Sequence, residues 1–227
     1  MNELITGGFL DVGVVSAIKV TLTMGISSTL IATILGLIIG LSLERYKFPG
    51  KKFFVRLNRT FMSIPPVVIG LVVYMLLMRR GPLGSLRLLF TIEGMIIAQV
   101  IMLTPIMSGL IYTYASNTAP AIRVFAKTMG ADKRQTNRLL LKEMQSEIYF
   151  CMITLFGRAI SEVGSVMLVG GNIKGSTRTM TTTISLLKSR GVFEEGIVLG
   201  AILLLIAFAI QWAGDVLRRE VKGDENY

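Results

Sequence analysis

The stretch that decides the fold is the uncharged run Val20–Leu43, which reads VTLTMGISSTLIATILGLIIGLSL. A helix needs about 20 predominantly apolar residues to cross a hydrocarbon core about 30 Å thick, so this run is long enough to span a membrane. Three further runs contain no charged residue: Thr60–Met78, Gly94–Ile122 and Gly196–Gly214. Since 52% of the 227 residues are hydrophobic, these runs predict an all-α integral membrane protein.

A fifth apolar run, from about Ile148 to Ile173, is interrupted by two charges, Arg158 and Glu162. Charged side chains inside a bilayer are costly, at about 2.5–3.5 kcal/mol on insertion scales. Because the two residues are four apart, a continuous helix would place them on one face, where they could pair. We therefore expect about five spans and an intramembrane Arg158–Glu162 pair, whose role could be structural or part of a transport path.

The distribution of basic residues predicts the orientation of the chain. Most of the 24 Lys and Arg residues lie in the segments 45–59 and 123–142 and in the tail at 218–222. For a protein of the cell (inner) membrane, the positive-inside rule then places the N-terminus outside, and the C-terminus and a loop of residues 116–147 in the cytoplasm. The net charge of +10 is explained by this topology and by anionic membrane lipid, so no nucleic acid partner is expected.

Several classes of function are disfavoured by what the sequence lacks. It has no His and a single Cys, Cys151, so neither a metal site nor the usual acid–base catalysis is expected. No Walker phosphate loop is present, so any ATP would be bound by another chain. A secondary transporter remains an alternative, although Glu162 is the only acid well inside a predicted span. Residues 1–227 are predicted to form one membrane domain without cofactor or catalytic residues.

The loop of residues 116–147 carries the first specific pattern. Pro120 suits the first turn of a helix, Gly130 suits its end, and Asp132 with Gln135 reads as a capping box that begins a second helix. We therefore predict a short helix–Gly–helix elbow below the membrane. An amphipathic helix resting on lipid headgroups is the alternative interpretation.

A second pattern follows the fifth run, where glycines precede a cluster of hydroxyl, amide and cationic side chains. Several hydrogen-bond donors around one cation are suited to transient binding of an oxyanion. We predict an anion path or gate formed by Asn172, Thr177, Arg178, Thr179 and Thr181. A polar external loop followed by the start of a helix is the alternative.

The elbow resembles the cytoplasmic loop motif of ABC importer permeases through Ala126, Gly130 and Ala131, which are followed by Asp132 and several leucines. In that family the loop docks into a cleft of the ATPase subunit, so the resemblance assigns these four residues to coupling. The sequence departs from the motif where it has Val124, Phe125 and Lys142-Glu143.

The run from Arg158 to Thr183 resembles tungstate permeases. Gly171–Thr179 also fits the Gly-Asn-Ile-x-Gly-x-Thr-x-Thr core of molybdate and sulfate permeases, and Ser63-Ile-Pro-Pro66 resembles the paired prolines of this oxyanion group. The likeness extends over roughly Ser16 to Trp212. It implies a permease for tungstate, with molybdate or sulfate as the alternative cargo.

The resemblance also implies partners. Permeases of this family form a dimer, here expected to be a homodimer, and rest on two ATPase subunits that bind ATP and Mg. An extracytoplasmic oxyanion-binding protein delivers the cargo. The permease performs no chemistry, and ATP-driven closure of the ATPase subunits turns its path outward in an alternating-access cycle.

Overall fold

The computed structural model describes residues 12–223, and all regular structure within that range is helical. In chain order the α-helices are α1 (Val12–Arg45), α2 (Lys51–Met62), α3 (Pro66–Leu77), α4 (Ile92–Thr128), α5 (Lys133–Glu143), α6 (Gln145–Ile160), α7 (Gly164–Gly170), α8 (Met180–Ser189) and α9 (Phe193–Gly223). A 3-10 turn, Gly84–Leu86, lies between α3 and α4. The predicted all-α class is confirmed. The two ends of the predicted domain, residues 1–11 and 224–227, lie outside the described residues.

The structure contains three helices that are long and apolar enough to cross a membrane: Gly13–Arg45, Ile92–Thr128 and Phe193–Gly214. Each contains one of the predicted uncharged runs. Two bent helix pairs, α2 with α3 and α6 with α7, raise the count to five if each pair is one span. The prediction of about five spans agrees with this upper count.

The second span is bent rather than continuous. The sequence predicted one segment from Thr60 to Met78, but α2 ends at Met62, α3 begins at Pro66, and the two helices meet at 97°. Proline disfavours a helical conformation in the residue before it and suits the first helical position, so Pro65 and Pro66 end one helix and start the next. At 12 residues α3 is only about 18 Å long.

Glycines allow α1 and α4 to pack closely. A Cβ added at Gly40 would lie 2.7 Å from the Ser108 carbonyl oxygen and 2.9 Å from the Ile111 Cβ, and one added at Gly36 would collide with Met107. Small residues spaced four apart are a common means of bringing transmembrane helices together. The Gly36-Leu-Ile-Ile-Gly40 motif therefore allows close contact between the two longest helices.

A buried polar network joins three helices deep in the protein. Ser28 on α1 donates a hydrogen bond to the Gln99 Oε1 on α4 at 2.6 Å, and the Gln99 Nε2 donates to the Ala159 carbonyl on α6 at 2.7 Å. Gln99 is fully buried. A buried amide in a membrane must find partners, so this network fixes the relative depth of the three helices.

The short helix α2 is attached to α4 near Pro105, which lies inside the continuous helix. The Asn58 Nδ2 donates to the Pro105 carbonyl at 3.1 Å, and the Ser108 hydroxyl donates to the Asn58 Oδ1 at 2.9 Å. None of the residues of α2 is buried. The helix therefore lies on the surface of the bundle, and Asn58 attaches it to α4 through two hydrogen bonds.

The helix α4 continues beyond its apolar part as a single helix to Thr128. With 37 residues it is about 55 Å long, well beyond the thickness of a hydrocarbon core. The prediction that Pro120 starts a helix is wrong: Pro120 is inside α4. The helix of the third predicted span continues through Pro120 without a break. Its extension places the elbow beyond the apolar part of the helix.

Candidate functional site

The elbow, residues 124–135, has the local geometry that the sequence predicts. Gly130 has φ +69°, a left-handed conformation that favours glycine, and it ends α4. The Ala131 N–H donates to the Ala126 carbonyl at 2.9 Å and the Gly130 N–H to the Lys127 carbonyl at 3.2 Å. These bonds satisfy carbonyls at the end of the helix, as in a Schellman-type cap.

The second helix of the elbow begins with the predicted capping box. The Gln135 N–H donates to the Asp132 Oδ1 at 2.7 Å, while the Asp132 N–H donates to the Gln135 Oε1 at 2.8 Å. Each bond satisfies a backbone donor that the start of a helix leaves free. The helix–Gly–helix structure is confirmed, and its role in coupling remains a prediction.

The solvent-facing surface of the elbow is apolar, and its side chains are highly exposed. Val124 is 67% exposed, Phe125 56% and Met129 72%, whereas Ala126 is buried against the protein. A separate groove of about 490 Å³ lies on another face of the elbow, and the cations that line it are Arg45, Arg123, Lys127 and Lys133. Adjacent exposed hydrophobic side chains at the tip of a projecting helix are typical of a contact with another protein.

A salt bridge ties the extension of α4 to the end of α1. The Arg123 Nη1 donates to the Glu44 Oε1 at 2.9 Å, and the Nη2 pairs with the Glu44 Oε2. In the sequence, Arg123 contributed only to the prediction of membrane topology. Because Arg123 is 42% exposed, the bridge contributes at most about 1 kcal/mol, but it links the elbow to a second span.

The loop of residues 171–179, here called the outer loop after its predicted orientation, connects α7 to α8. Gly171 and Asn172 both adopt positive φ, of 69° and 53°, which turns the chain sharply after α7. The Thr177 hydroxyl closes the loop by donating to the Gly170 carbonyl and accepting from the Ile173 N–H at 3.1 Å. Thr177 is fully buried, so its side chain shapes the loop.

Within the outer loop, Arg178 is held by Asn172. The Arg178 Nε donates to the Asn172 Oδ1 at 3.1 Å, and its Nη2 donates to the Asn172 carbonyl at 3.2 Å. The guanidinium is half-buried. It has five N–H donors, and these two hydrogen bonds use two of them, so three N–H groups remain for other partners. The structure thus brings together two of the five residues predicted for the anion gate.

The remaining predicted gate residues have their hydroxyls engaged inside the protein. Thr179 forms a capping box with Thr182 at the start of α8, and the Thr181 hydroxyl donates to the Glu162 carbonyl at 2.9 Å. Like Thr177, both threonines are buried. Their hydroxyls do not reach an anion in this conformation, which corrects the prediction of five available donors. The physical reason is that a loop this tight uses hydroxyls to satisfy its own backbone.

The predicted Arg158–Glu162 pair is not formed among the described residues. Because α6 ends at Ile160, the two residues do not share a helix, and the i,i+4 geometry is lost. The Glu162 Oε1 instead accepts from the Ser165 N–H at 3.0 Å, so the carboxylate caps the start of α7 at the 58° bend. Glu162 is buried, while Arg158 is exposed on the surface of the protomer.

Comparisons with known proteins agree on one family. The model for the binding-protein-dependent transport system inner membrane component matches residues 16–223. A tungstate uptake system permease protein from Peptoclostridium acidaminophilum is 42% identical, over 88% of this chain and 88% of its own. A sulfate transport system permease protein from Synechococcus elongatus is 30% identical, over 72% of this chain and 60% of its own. The solved inward-facing MetNI methionine ABC transporter shares the fold, with a TM-score of 0.76 at 19% identity over 95% of this chain and 99% of the other.

Proposed function

Because the chain belongs to the family of binding-protein-dependent transport system inner membrane components, we propose that it is the permease of an ATP-driven importer whose cargo is tungstate. The observation that carries this proposal is the 42% identity to a tungstate uptake permease, which extends over 88% of both chains. The alignment therefore extends over most of the helical bundle. A multi-pass location in the inner membrane follows from the family and the apolar helices.

The proposed mechanism assigns movement to this chain and chemistry to its partners. A separate ATPase subunit binds ATP and Mg, an extracytoplasmic protein delivers the anion, and two copies of this chain enclose the path. The apolar surface formed by Val124, Phe125 and Met129 fits a cleft of the ATPase subunit. Since α4 is one helix from Ile92 to Thr128, displacement of the elbow would reach the opposite side of the membrane directly.

Two further features support an alternating-access cycle. The salt bridge between Glu44 and Arg123 would carry the displacement from α4 to α1. The bends after Met62 and Ile160 divide two spans into segments that can change their relative angle. A cycle of this kind requires that the nucleotide-bound and nucleotide-free ATPase subunits favour different arrangements of the same helices.

At the outer face, we assign the first contact with the anion to Arg178, oriented by Asn172. A guanidinium cannot be neutralised at working pH, and its planar donors match two oxygens of an oxyanion. One cation held at a fixed position binds weakly enough to release the cargo, as conduction requires.

Tungstate uptake by vesicles containing the assembled transporter tests the proposed function. Arg178→Gln keeps hydrogen bonding and deletes the charge, so we expect about a tenfold lower uptake rate at limiting tungstate, equivalent to about 1.4 kcal/mol. Unlabelled tungstate should compete more strongly than molybdate or sulfate. Lys188→Gln, which removes an exposed cation from α8, is the matched control and should leave uptake unchanged.

The two parts of this result can fail separately. Equal uptake by the Arg178→Gln and Lys188→Gln variants would remove Arg178 from the path. Stronger competition by molybdate or sulfate would instead assign the importer to the alternative cargo, which the Gly171–Thr179 core and the 30% identical sulfate permease favour. Uptake without any dependence on ATP would indicate a secondary transporter.

The proposed orientation, with the N-terminus outside and the elbow in the cytoplasm, predicts a labelling pattern. In a Cys151→Ser background, an impermeant thiol reagent added to intact cells should modify the Ser189→Cys variant and spare the Asp132→Cys variant. Both side chains are exposed and they lie at opposite ends of the bundle. Inverted vesicles should reverse the pattern. Rapid labelling of Asp132→Cys in intact cells would contradict the orientation and the docking role together.

A further inference from the structure

The exposed face of α6 is polar, although α6 belongs to a membrane span. Between residues 145 and 161 the exposed positions are Phe150, Thr154, Arg158 and Ser161, spaced four, four and three residues apart along one face. The other faces of α6 pack into the protein through buried residues such as Leu155 and Ala159. Three of the four exposed side chains are therefore polar or charged, and space beside Gly157 is empty, since a Cβ there would meet no atom within 4 Å.

Faces of the bundle that suit lipid have a different composition. The exposed side chains of α1 near its middle include Ile26, Leu30 and Ile34, and those of α9 include Leu204 and Phe208. These faces are apolar, as expected where a helix contacts hydrocarbon. The α6 face has the opposite pattern, so its surroundings are not hydrocarbon.

The depth of Arg158 follows from the buried polar network. The adjacent Ala159 carbonyl accepts from Gln99, and Gln99 bonds to Ser28. Ser28 is near the middle of the 34-residue α1, about 25 Å from either helix end. Arg158 is therefore level with the centre of the span, too deep for its side chain to reach a headgroup region by extending along the helix.

Three surroundings could accommodate this guanidinium: lipid, a carboxylate of a second copy, or water. Lipid is excluded by the cost of an exposed charge at the bilayer centre. Among the acidic residues whose side chains the structure describes, a second copy offers no exposed carboxylate at this depth. Glu162 is buried and caps α7, and the exposed acids lie near helix ends. Water is the remaining surrounding.

We propose that the face formed by Thr154, Arg158 and Ser161 lines a water-filled path, and that Arg158 is a second oxyanion-binding residue deeper than Arg178. This inference rests on the proposed importer function. The start of α8 links the two cations, because Thr181, three residues after Arg178, donates to the carbonyl of Glu162 in the bend that follows α6. An anion leaving Arg178 would meet the next cation one bend further in, with neutral side chains between them.

Thiol labelling of the assembled transporter in a Cys151→Ser background tests the path directly. The Thr154→Cys and Arg158→Cys variants should react with a small water-soluble methanethiosulfonate reagent, because the thiolate that reacts forms only where water is present. Leu204→Cys, on an exposed apolar face, should not react. Tungstate at saturating concentration should slow labelling of Thr154→Cys severalfold, since that variant keeps Arg158.

The outcomes separate this inference from the proposed function. If Thr154→Cys and Arg158→Cys stay as unreactive as Leu204→Cys while the Cys151→Ser parent imports tungstate, the path is overturned and the function stands. If both react and only sulfate or molybdate protects Thr154→Cys, the path stands and the cargo is wrong. Thr154→Cys is a small change that retains Arg158, so it keeps the test decisive if Arg158→Cys does not assemble.

Discussion

Replacing Gly40 with alanine should leave little correctly folded protein in the membrane. The added Cβ would lie 2.7 Å from the Ser108 carbonyl oxygen and 2.9 Å from the Ile111 Cβ, so α1 and α4 would have to separate. Overpacking of this kind typically destabilises a protein by about 1–3 kcal/mol, and here the closest obstacle is backbone, which cannot change rotamer. The measurement is the yield of monodisperse protein after detergent extraction, together with its thermal unfolding midpoint.

Gly200→Ala is the matched control for this experiment. Gly200 also lies within a long apolar helix, but a Cβ there would approach only the Ile184 Cδ1, at an ordinary contact distance of 4.0 Å. Its yield and unfolding midpoint should equal those of the unsubstituted protein. Equal behaviour of the two alanine variants would mean that α1 and α4 do not pack through Gly40.

Features governed by neighbours in sequence could be predicted without a structure. Gly130 ends a helix and Asp132 caps the next because a left-handed turn and a capping box depend on residues within one helical turn. The Gly36–Gly40 spacing carried a similar signal, which sequence analysis overlooked by treating that run only as apolar length. The bend at Pro65 was also readable, because two adjacent prolines interrupt any continuous helix.

Features governed by distant partners could not be predicted. Whether a threonine hydroxyl is free or already bonded depends on what packs against it, so Thr177, Thr179 and Thr181 looked like anion ligands in sequence. The Arg158–Glu162 pair failed for the same reason, since it assumed a helix that the fold ends at Ile160. Without that pair Arg158 is exposed. The proposal of a deeper anion-binding residue rests on this exposed arginine.

Replacing Gly130 with leucine should strongly reduce transport while leaving the protein inserted in the membrane. At φ +69° a leucine is strained by about 1–2 kcal/mol, a modest penalty for a site outside the apolar bundle. No atom lies within 4 Å of the position of a Cβ at Gly130, so the free chain has room for the side chain. In the proposed complex the ATPase subunit occupies that space. A leucine side chain would therefore prevent the elbow from docking.

Gly191→Leu separates strain from docking. Gly191 has φ +77° and an equally empty surrounding, but it precedes α9 at the end of the bundle opposite the elbow. Both leucine variants should insert normally, because both carry the same backbone strain. Co-purification of the ATPase subunit and tungstate uptake should then fall at least about tenfold for Gly130→Leu and stay near the unsubstituted level for Gly191→Leu, if loss of docking removes at least about 1.4 kcal/mol. A Gly130→Leu variant that retains the ATPase subunit and transports normally would reduce the elbow to a surface helix at the lipid interface, and movement would have to enter the bundle elsewhere.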